Sequence, residues 1–308
     1  MATGMSIHVG VNDTKAAGVS APLQGCDQDA KDMFALARNR GFIGVNDGEP
    51  DEPILGDKAT HDAVLAKMRI AADELEAGDI FLFTFSGHGT LRGQEDPKET
   101  DLQDETLVMQ DNFLVDNVLR RLIWPKFKAG VRVVMVSDSC HSGGAAMSLM
   151  MRDSEGESSN GGSSVATTRN GSDSSPAAAS QTSGVRSRAQ RDFRIRTISK
   201  SQKDTHFERM KEFYDQLRST LPKDPPAVNA EILLLAACRE TETTKDGFPN
   251  GLFTRELLKV FNSNVPKTYK QLMAEIRANL QAANEESHPV MMSIPELPAF
   301  SETEAFRI

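Results

Sequence analysis

Two short segments rich in glycine and polar residues carry side chains suited to nucleophilic chemistry. Residues 86–89 read SGHG, and residues 137–144 read SDSCHSGG. A cysteine thiol is mostly protonated near neutral pH, so an imidazole must take its proton or stabilise its thiolate. His88 as general base and Cys140 as nucleophile would provide that chemistry. The backbone N–H groups of Gly89 and Cys140 are candidate donors to the oxyanion of a tetrahedral intermediate.

Each of these residues also has a simpler structural interpretation. A lone cysteine after a buried strand is usually a small core residue, and a lone histidine is usually a satisfied polar group. His141 is a rival base, but as the neighbour of Cys140 it would point elsewhere on an extended turn. A zinc site from Cys26, His88, Cys140 and His141 is conceivable, although the paired spacing of structural zinc motifs is absent. No phosphate-binding glycine motif follows the first predicted strand.

The elements that must position these residues can be predicted from the hydrophobic pattern. Continuous apolar runs predict buried strands at Ile7–Val11, Ile80–Phe85, Val131–Val136 and Ile232–Ala237. Helical periodicity separates them, within residues 27–40, 64–75, 115–123 and 207–217. This alternation predicts an α/β fold with a mainly parallel sheet. The second and third runs stop at the histidine and cysteine segments. Ligands bind outside the carboxyl ends of parallel strands, so the two segments are expected to meet.

Composition limits the classes of protein to which the chain could belong. The chain has 308 residues, 39% of them hydrophobic, and a net charge of −9, which favours a soluble domain and argues against a nucleic-acid binder. No apolar run is long enough to cross a membrane, and no secretory signal starts the chain. Three scattered cysteines do not form a disulfide framework. We therefore expect a cytoplasmic location with no nucleic-acid or membrane partner.

One stretch interrupts the α/β pattern. Residues 151–190 contain eleven serines and five glycines but no aromatic residue, which predicts a flexible linker. The chain then becomes basic, and the simplest interpretation of this cluster is a solvated, partly disordered face. The basic residues in question are Arg186, Arg188, Arg191, Arg194, Arg196, Lys200 and Lys203.

Taken together, the motifs resemble those of the metacaspases and their bacterial relatives, which are peptidases of the caspase-like clan. The resemblance rests on residues 23–30 (LQGCDQDA), the SGHG turn and the DSCHSG turn at 138–143. Residues 236–238 (AAC), residues 251–254 (GLFT) and Tyr269 resemble the small-subunit region of the family. The resemblance covers residues 5–150 and 228–308. It implies a caspase-like three-layer sandwich with about six strands, divided into a large-subunit-like region (1–150), a linker (151–203) and a small-subunit-like region (204–308).

The resemblance also implies roles for individual residues. His88 would be the base and Cys140 the nucleophile, and the specificity pocket would be lined by Cys26, Asp29, Ser86 and Asp138. Two carboxylates beside a nucleophile would attract a guanidinium or ammonium group. The implied activity is therefore cleavage of proteins or peptides after Arg or Lys, by a protein that is a monomer, as metacaspases usually are.

Calcium binding is implied less completely. Asp104 and Asp116 match two acidic calcium ligands of the family, but Asn117 and Met147 stand at the other two positions. A thioether is a poor ligand for calcium, which prefers hard oxygen donors. The sequence therefore predicts no required cofactor and leaves calcium activation open.

A peptidase specific for basic residues with arginines in a neighbouring linker could cleave itself. The candidate sites are Arg186, Arg188, Arg191, Arg194, Arg196 and Lys200, with Arg152 and Arg169 ranked lower. Two other functions remain open. One is a catalytically silent caspase-fold interaction module. The other is an α/β ligand-binding domain, which the missing phosphate loop disfavours.

Overall fold

The computed structural model describes residues 2–15, 17–19, 21–92, 104–140, 194–224, 226–239, 242–263, 265–294 and 298–308. Within these residues, the strands in chain order are β1 (Gly4–Gly10), β2 (Ile43–Gly44), β3 (Ile54–Leu55), β4 (Ile80–Ser86), β5 (Gly89–Arg92), β6 (Asp104–Val108), β7 (Phe113–Val115), β8 (Arg132–Asp138), β9 (Glu231–Ala236) and β10 (Val290–Ile294). The four strands predicted from the apolar runs are β1, β4, β8 and β9, and their ends lie within three residues of the predicted ones.

The main sheet has the spatial order β10-β9-β8-β4-β1-β2, and β3 also pairs with β1. All pairings in it are parallel except that between β9 and β10. The predicted α/β class and mainly parallel sheet are confirmed, although the described sheet has seven strands rather than about six. A separate antiparallel sheet, β5-β6-β7, lies beyond the carboxyl end of β4 and was not predicted.

The helices are α1 (Cys26–Asn39), α2 (His61–Glu74), α3 (Asp116–Val118), α4 (Lys200–Arg209), α5 (Lys211–Thr220), α6 (Leu252–Phe261), α7 (Tyr269–Ala282) and α8 (Pro298–Ser301). The helical pattern at 115–123 forms only a short α-helix followed by a π-helical turn at Leu119–Ile123. The pattern at 207–217 spans two helices, because the chain leaves helical geometry at Met210.

Helices cover both faces of the sheet and form two hydrophobic cores. One core joins alternate residues of β1, β4, β8 and β9 to α2, α5 and the segment around Trp124. The other joins the opposite residues of β4, β8 and β9 to α1, α6 and α7. The central strands are apolar on both sides for this reason, which is why their sequences are continuous rather than alternating.

Register at the carboxyl edge of the sheet aligns the strand ends. Gly10 pairs with Ser86, and Ser86 pairs with Asp138, so β1, β4 and β8 end at one level. The segments that carry His88 and Cys140 therefore start from neighbouring strands. No helix among the described residues combines the length and apolarity needed to span a bilayer.

The predicted linker boundary at residue 203 is wrong. Residues 200–203 already belong to α4, whose first turn is closed by a capping box between Ser199 and Gln202. Arg196 and Ile198, just before it, are buried. The linker was predicted from serine-rich composition. That composition ends before residues 196–203, where apolar side chains and charged side chains with partners occur.

Candidate active site

An acidic pocket forms where α1 meets the ends of β4 and β8. Asp29 comes from the first turn of α1, Ser86 ends β4, and Asp138 ends β8. All three side chains are buried. The Ser86 hydroxyl donates to Asp29 Oδ2 at 2.6 Å. Cys26 is also buried beside Ser86, and burial raises the pKa of its thiol. The residues that the resemblance assigned to the pocket thus lie together.

The pocket holds the guanidinium of Arg196, whose side chain is wholly buried. Its Nη2 lies 2.7 Å from Asp29 Oδ2, and its Nη1 lies 3.1 Å from Asp138 Oδ1. Nη1 also donates to Ser86 Oγ and to the Asp138 carbonyl, both at 2.7 Å. Burial alone would lower the pKa of Arg196, but the surrounding carboxylates raise it above its usual value. The interpretation of the basic cluster as a solvated face is therefore wrong for Arg196.

Asp246 is a third carboxylate of this pocket, and sequence reasoning missed it. Its Oδ1 lies 3.1 Å from Arg196 Nη2. It also accepts hydrogen bonds from the backbone amides of Gln24 and Gly25. In the sequence, Asp246 could be recognised only as a carboxylate in the loop that follows β9, the strand next to β8.

The backbone of Arg196 lies against both candidate oxyanion donors. Its carbonyl oxygen accepts from the Gly89 amide at 3.0 Å and from the Cys140 amide at 3.4 Å. The Arg196 amide donates to the Thr244 carbonyl at 3.2 Å. Isolated β-bridges flank the residue: Ile195 pairs with Lys245, and Thr197 pairs with Gly89. The chain therefore crosses the site in an extended conformation.

The side chains of Cys140 and His88 are each hydrogen-bonded to a backbone group. The Cys140 thiol donates to the Thr244 carbonyl at 3.5 Å and accepts from the Thr244 amide at 3.2 Å. His88 Nε2 lies 2.5 Å from the Ala21 carbonyl. A carbonyl only accepts, so Nε2 carries the proton and Nδ1 is the free base. Within the described part of the chain, Nδ1 is buried and has no hydrogen-bond partner.

The pKa shifts of His88 and Cys140 leave both side chains uncharged near pH 7. Burial lowers the pKa of His88, although the nearby Ala21 and Arg196 carbonyls favour its charged form. Burial raises the pKa of Cys140 to about 12. The imidazole is thus neutral and the thiol protonated near pH 7, which is the state from which a general base starts.

The other basic candidates occupy different environments. Arg194 is exposed and donates from its guanidinium to the Pro22 carbonyl. Lys200 is exposed on α4 and pairs with Asp204 at 2.6 Å. Arg186, Arg188, Arg191, Arg152 and Arg169 lie outside the described residues, as does His141.

The described residues do not assemble a calcium site. Asp116 is buried at the start of α3, and its Oδ1 accepts from the Asn117 amide at 2.6 Å. The side chain of Asp104 and all of Met147 lie outside the described residues. Across the described ranges, no group of three or more His, Cys, Asp or Glu side chains is placed to hold a metal ion, and this covers the zinc alternative as far as its residues are described.

Comparison with known proteins is consistent with this geometry. A family model described as "Caspase domain" matches residues 4–303. Metacaspase-2 of Trypanosoma brucei brucei is 30% identical over 149 residues, which are 46% of this chain and 42% of that protein. Metacaspase-9 of Arabidopsis thaliana is 35% identical over 126 residues, which are 40% of this chain and 39% of that protein. The match spans less than half the length of these curated relatives.

Among solved structures, protein GSU0716 of Geobacter sulfurreducens superposes with a TM-score of 0.73 at 28% identity, covering 99% of each chain. The family match over residues 4–303, the metacaspase relatives and the mainly parallel sheet flanked by helices agree with one another. The chain therefore belongs to the caspase-domain family of cysteine peptidases and has metacaspases among its relatives.

Proposed function

We propose that this chain is a cysteine endopeptidase that cuts after a basic residue, and that its own Arg196–Thr197 bond is a substrate. The observation that carries the proposal is the position of Arg196. Its side chain fills the acidic pocket while its carbonyl oxygen accepts from Gly89 and Cys140. A peptide about to be cut needs both of these placements at once.

The chemistry follows from the residues around that carbonyl. His88 Nδ1 takes the Cys140 proton, and the sulfur attacks the Arg196 carbonyl carbon. The Gly89 and Cys140 amides stabilise the oxyanion. The C–N bond then breaks, and the imidazolium gives its proton to the departing Thr197 amine. Water, activated by the same imidazole, hydrolyses the thioester and releases the Arg196 carboxylate.

Mass spectrometry of the purified full chain tests the proposal. We expect fragments ending at Arg196 and starting at Thr197 in wild type and none in Cys140→Ala. Arg194→Gln is a matched control, because it removes a nearby exposed arginine and leaves the pocket intact. Cuts in Cys140→Ala would identify a contaminating protease, and no cut in any variant would remove Arg196 as a substrate.

Peptide hydrolysis extends the test to other substrates. Hydrolysis of fluorogenic peptides ending in Arg, Lys or Asp is measured with and without calcium, for wild type and Cys140→Ala. We expect wild type, and not Cys140→Ala, to hydrolyse the peptides ending in Arg or Lys. Turnover of none of them would favour a catalytically silent interaction module. Preference for Asp would overturn the pocket assignment and leave the nucleophile in place.

A further inference from the structure

Resting on the proposed function, we infer that the pocket selects arginine over lysine and that Asp246 is one of the residues responsible for this selectivity. The guanidinium of Arg196 uses both of its terminal nitrogens. Nη1 faces Ser86 Oγ, the Asp138 carbonyl and Asp138 Oδ1, all within 3.1 Å. Nη2 faces Asp29 Oδ2 and Asp246 Oδ1, also within 3.1 Å. The acceptors are divided between two sides of a planar fork.

An ammonium group cannot satisfy the same set of acceptors. Lysine offers three N–H groups from one atom, whereas the pocket presents five oxygens around two separated nitrogens. Lysine would therefore contact fewer of these oxygens and leave part of the buried carboxylate charge without a cation, although Asp29 Oδ2 and Asp246 Oδ1 would keep their hydrogen bonds from Ser86, Gly251 and Gly25. A buried carboxylate that loses its cationic partner is costly, so a site with this arrangement should discriminate against lysine.

The walls of the pocket are also held apart, so they are not free to close around a smaller cation. The Gly251 amide donates to Asp29 Oδ1 at 3.0 Å. The Thr254 amide and hydroxyl each donate to Asp138 Oδ2 at 2.9 Å. Every one of the three carboxylates is thus fixed by main-chain donors, since Asp246 accepts from Gln24 and Gly25.

Asp246 supplies the part of this pattern that only a second nitrogen can use. It meets Nη2 from a loop, whereas Asp138 meets Nη1 from the end of β8. A single ammonium placed against Asp138 and Ser86 would leave the Asp246 carboxylate without a cationic partner, although its hydrogen bonds from the Gln24 and Gly25 amides would remain. Loss of the Asp246 charge should therefore weaken recognition of arginine much more than recognition of lysine.

Self-cleavage of the full chain is the test, measured for four proteins: wild type, Arg196→Lys, Asp246→Asn and the double variant that combines the two substitutions. We expect Arg196→Lys to be cut at the bond after residue 196 at least about tenfold more slowly than wild type, since a good hydrogen bond to a charged group changes rates by that order. In the Asp246→Asn background, self-cleavage of the chain that keeps Arg196 should slow by about tenfold or more, whereas self-cleavage of the chain with Arg196→Lys should change little. The ratio of these two rates should therefore become smaller.

The outcomes separate the inference from the proposed function. Equal cutting of wild type and Arg196→Lys overturns arginine selectivity while Cys140-dependent cleavage stands. An unchanged ratio in the Asp246→Asn background overturns the role of Asp246, and thermal unfolding of that variant checks that it folds. Asp246→Glu, which keeps the charge, should preserve a preference for arginine. No Cys140-dependent cut in the wild-type chain overturns the proposed function itself.

Discussion

Gly251 lies so close to the guanidinium of Arg196 that a side chain at this position would enter the pocket. A Cβ there would lie 2.5 Å from Arg196 Cζ and 2.7 Å from Asp138 Oδ2. Gly251 has φ −62° and ψ 160°, a conformation that alanine adopts freely. The absence of a side chain is therefore a requirement of the pocket rather than of the backbone.

Gly251→Ala should consequently abolish cutting after Arg196 while the protein stays folded. The methyl group takes the space of the guanidinium, so the arginine must withdraw. Gel analysis of self-cleavage and far-ultraviolet circular dichroism give the two readouts. Gly44→Ala is the control, because its Cβ would displace only the exposed Asp51 side chain. Normal cleavage by Gly251→Ala would contradict the pocket geometry.

Thr254→Val should weaken arginine recognition without changing the chemical step. The buried Thr254 hydroxyl donates to Asp138 Oδ2, and valine keeps the shape but not the donor. Loss of one hydrogen bond to a buried charge costs about 1.5–3 kcal/mol. We expect KM for arginine peptides to rise by about tenfold or more with a much smaller change in kcat. Thr254→Ser should restore KM and kcat to their wild-type values. A fall in kcat with KM unchanged in Thr254→Val would argue against a positioning role for Thr254.

The contribution of His8 to the free energy of unfolding should fall as the pH drops below 6.5, whereas Asp29, whose pKa burial raises to about 6, acts in the opposite direction. His8 lies buried on β1, where Nδ1 is hydrogen-bonded to Thr84 Oγ1, and burial lowers its pKa from 6.5 to about 3. The unfolded chain therefore takes up a proton between pH 6.5 and 3 that the folded chain excludes. Each pH unit in that window costs about 1.4 kcal/mol. His88 and His206, whose pKa values burial also lowers, act in the same direction.

Urea unfolding at about pH 7.5 and about pH 5.0 measures this dependence. His8→Gln keeps a hydrogen-bonding group for Thr84 but does not titrate, so it should lose about 2 kcal/mol less than wild type over that interval. An identical loss in both proteins would show that His8 is accessible to protons in the folded state.

Thr268→Ala should destabilise the domain by about 1 kcal/mol. The Thr268 hydroxyl accepts from the backbone amide of Gln271, and Gln271 Oε1 accepts from the backbone amide of Thr268 at 3.0 Å. This capping box starts α7, whose Leu272 and Ile276 are buried in the core. Thr268→Ser retains the cap and should unfold at nearly the wild-type urea concentration. An alanine variant as stable as wild type would mean that the cap is redundant.

Local patterns predicted the elements that carry the candidate dyad, because a strand buried on both faces is apolar at every position. They did not predict that Arg196 is buried. Its burial depends on Asp29, Asp138 and Asp246, which are far apart in the sequence and come together only in the folded sheet. A basic cluster beside a serine-rich stretch is locally typical of a solvated segment, and only pairing with distant carboxylates offsets the cost of burying it.

The same reasoning explains the missed details of the fold. The antiparallel sheet β5–β7 consists of short strands, whose few residues give no clear alternation. The break between α4 and α5 falls inside a continuous helical pattern, since Met210 itself is apolar and suits either interpretation. Asp246 lies in a loop, where spacing carries little information about which side chains converge.

The order of the main sheet determines what a cut after Arg196 would produce. β8 precedes the cut and β9 follows it, yet the two pair along six residues from Arg132–Glu231 to Ser137–Ala236. β9 and β10 therefore stay in the sheet with β1, β4 and β8 whether or not the chain is continuous. A nicked molecule would migrate as one particle through a sizing column in native buffer and give two bands only after denaturation. The connection that holds its halves together would be the shared sheet instead of the peptide backbone.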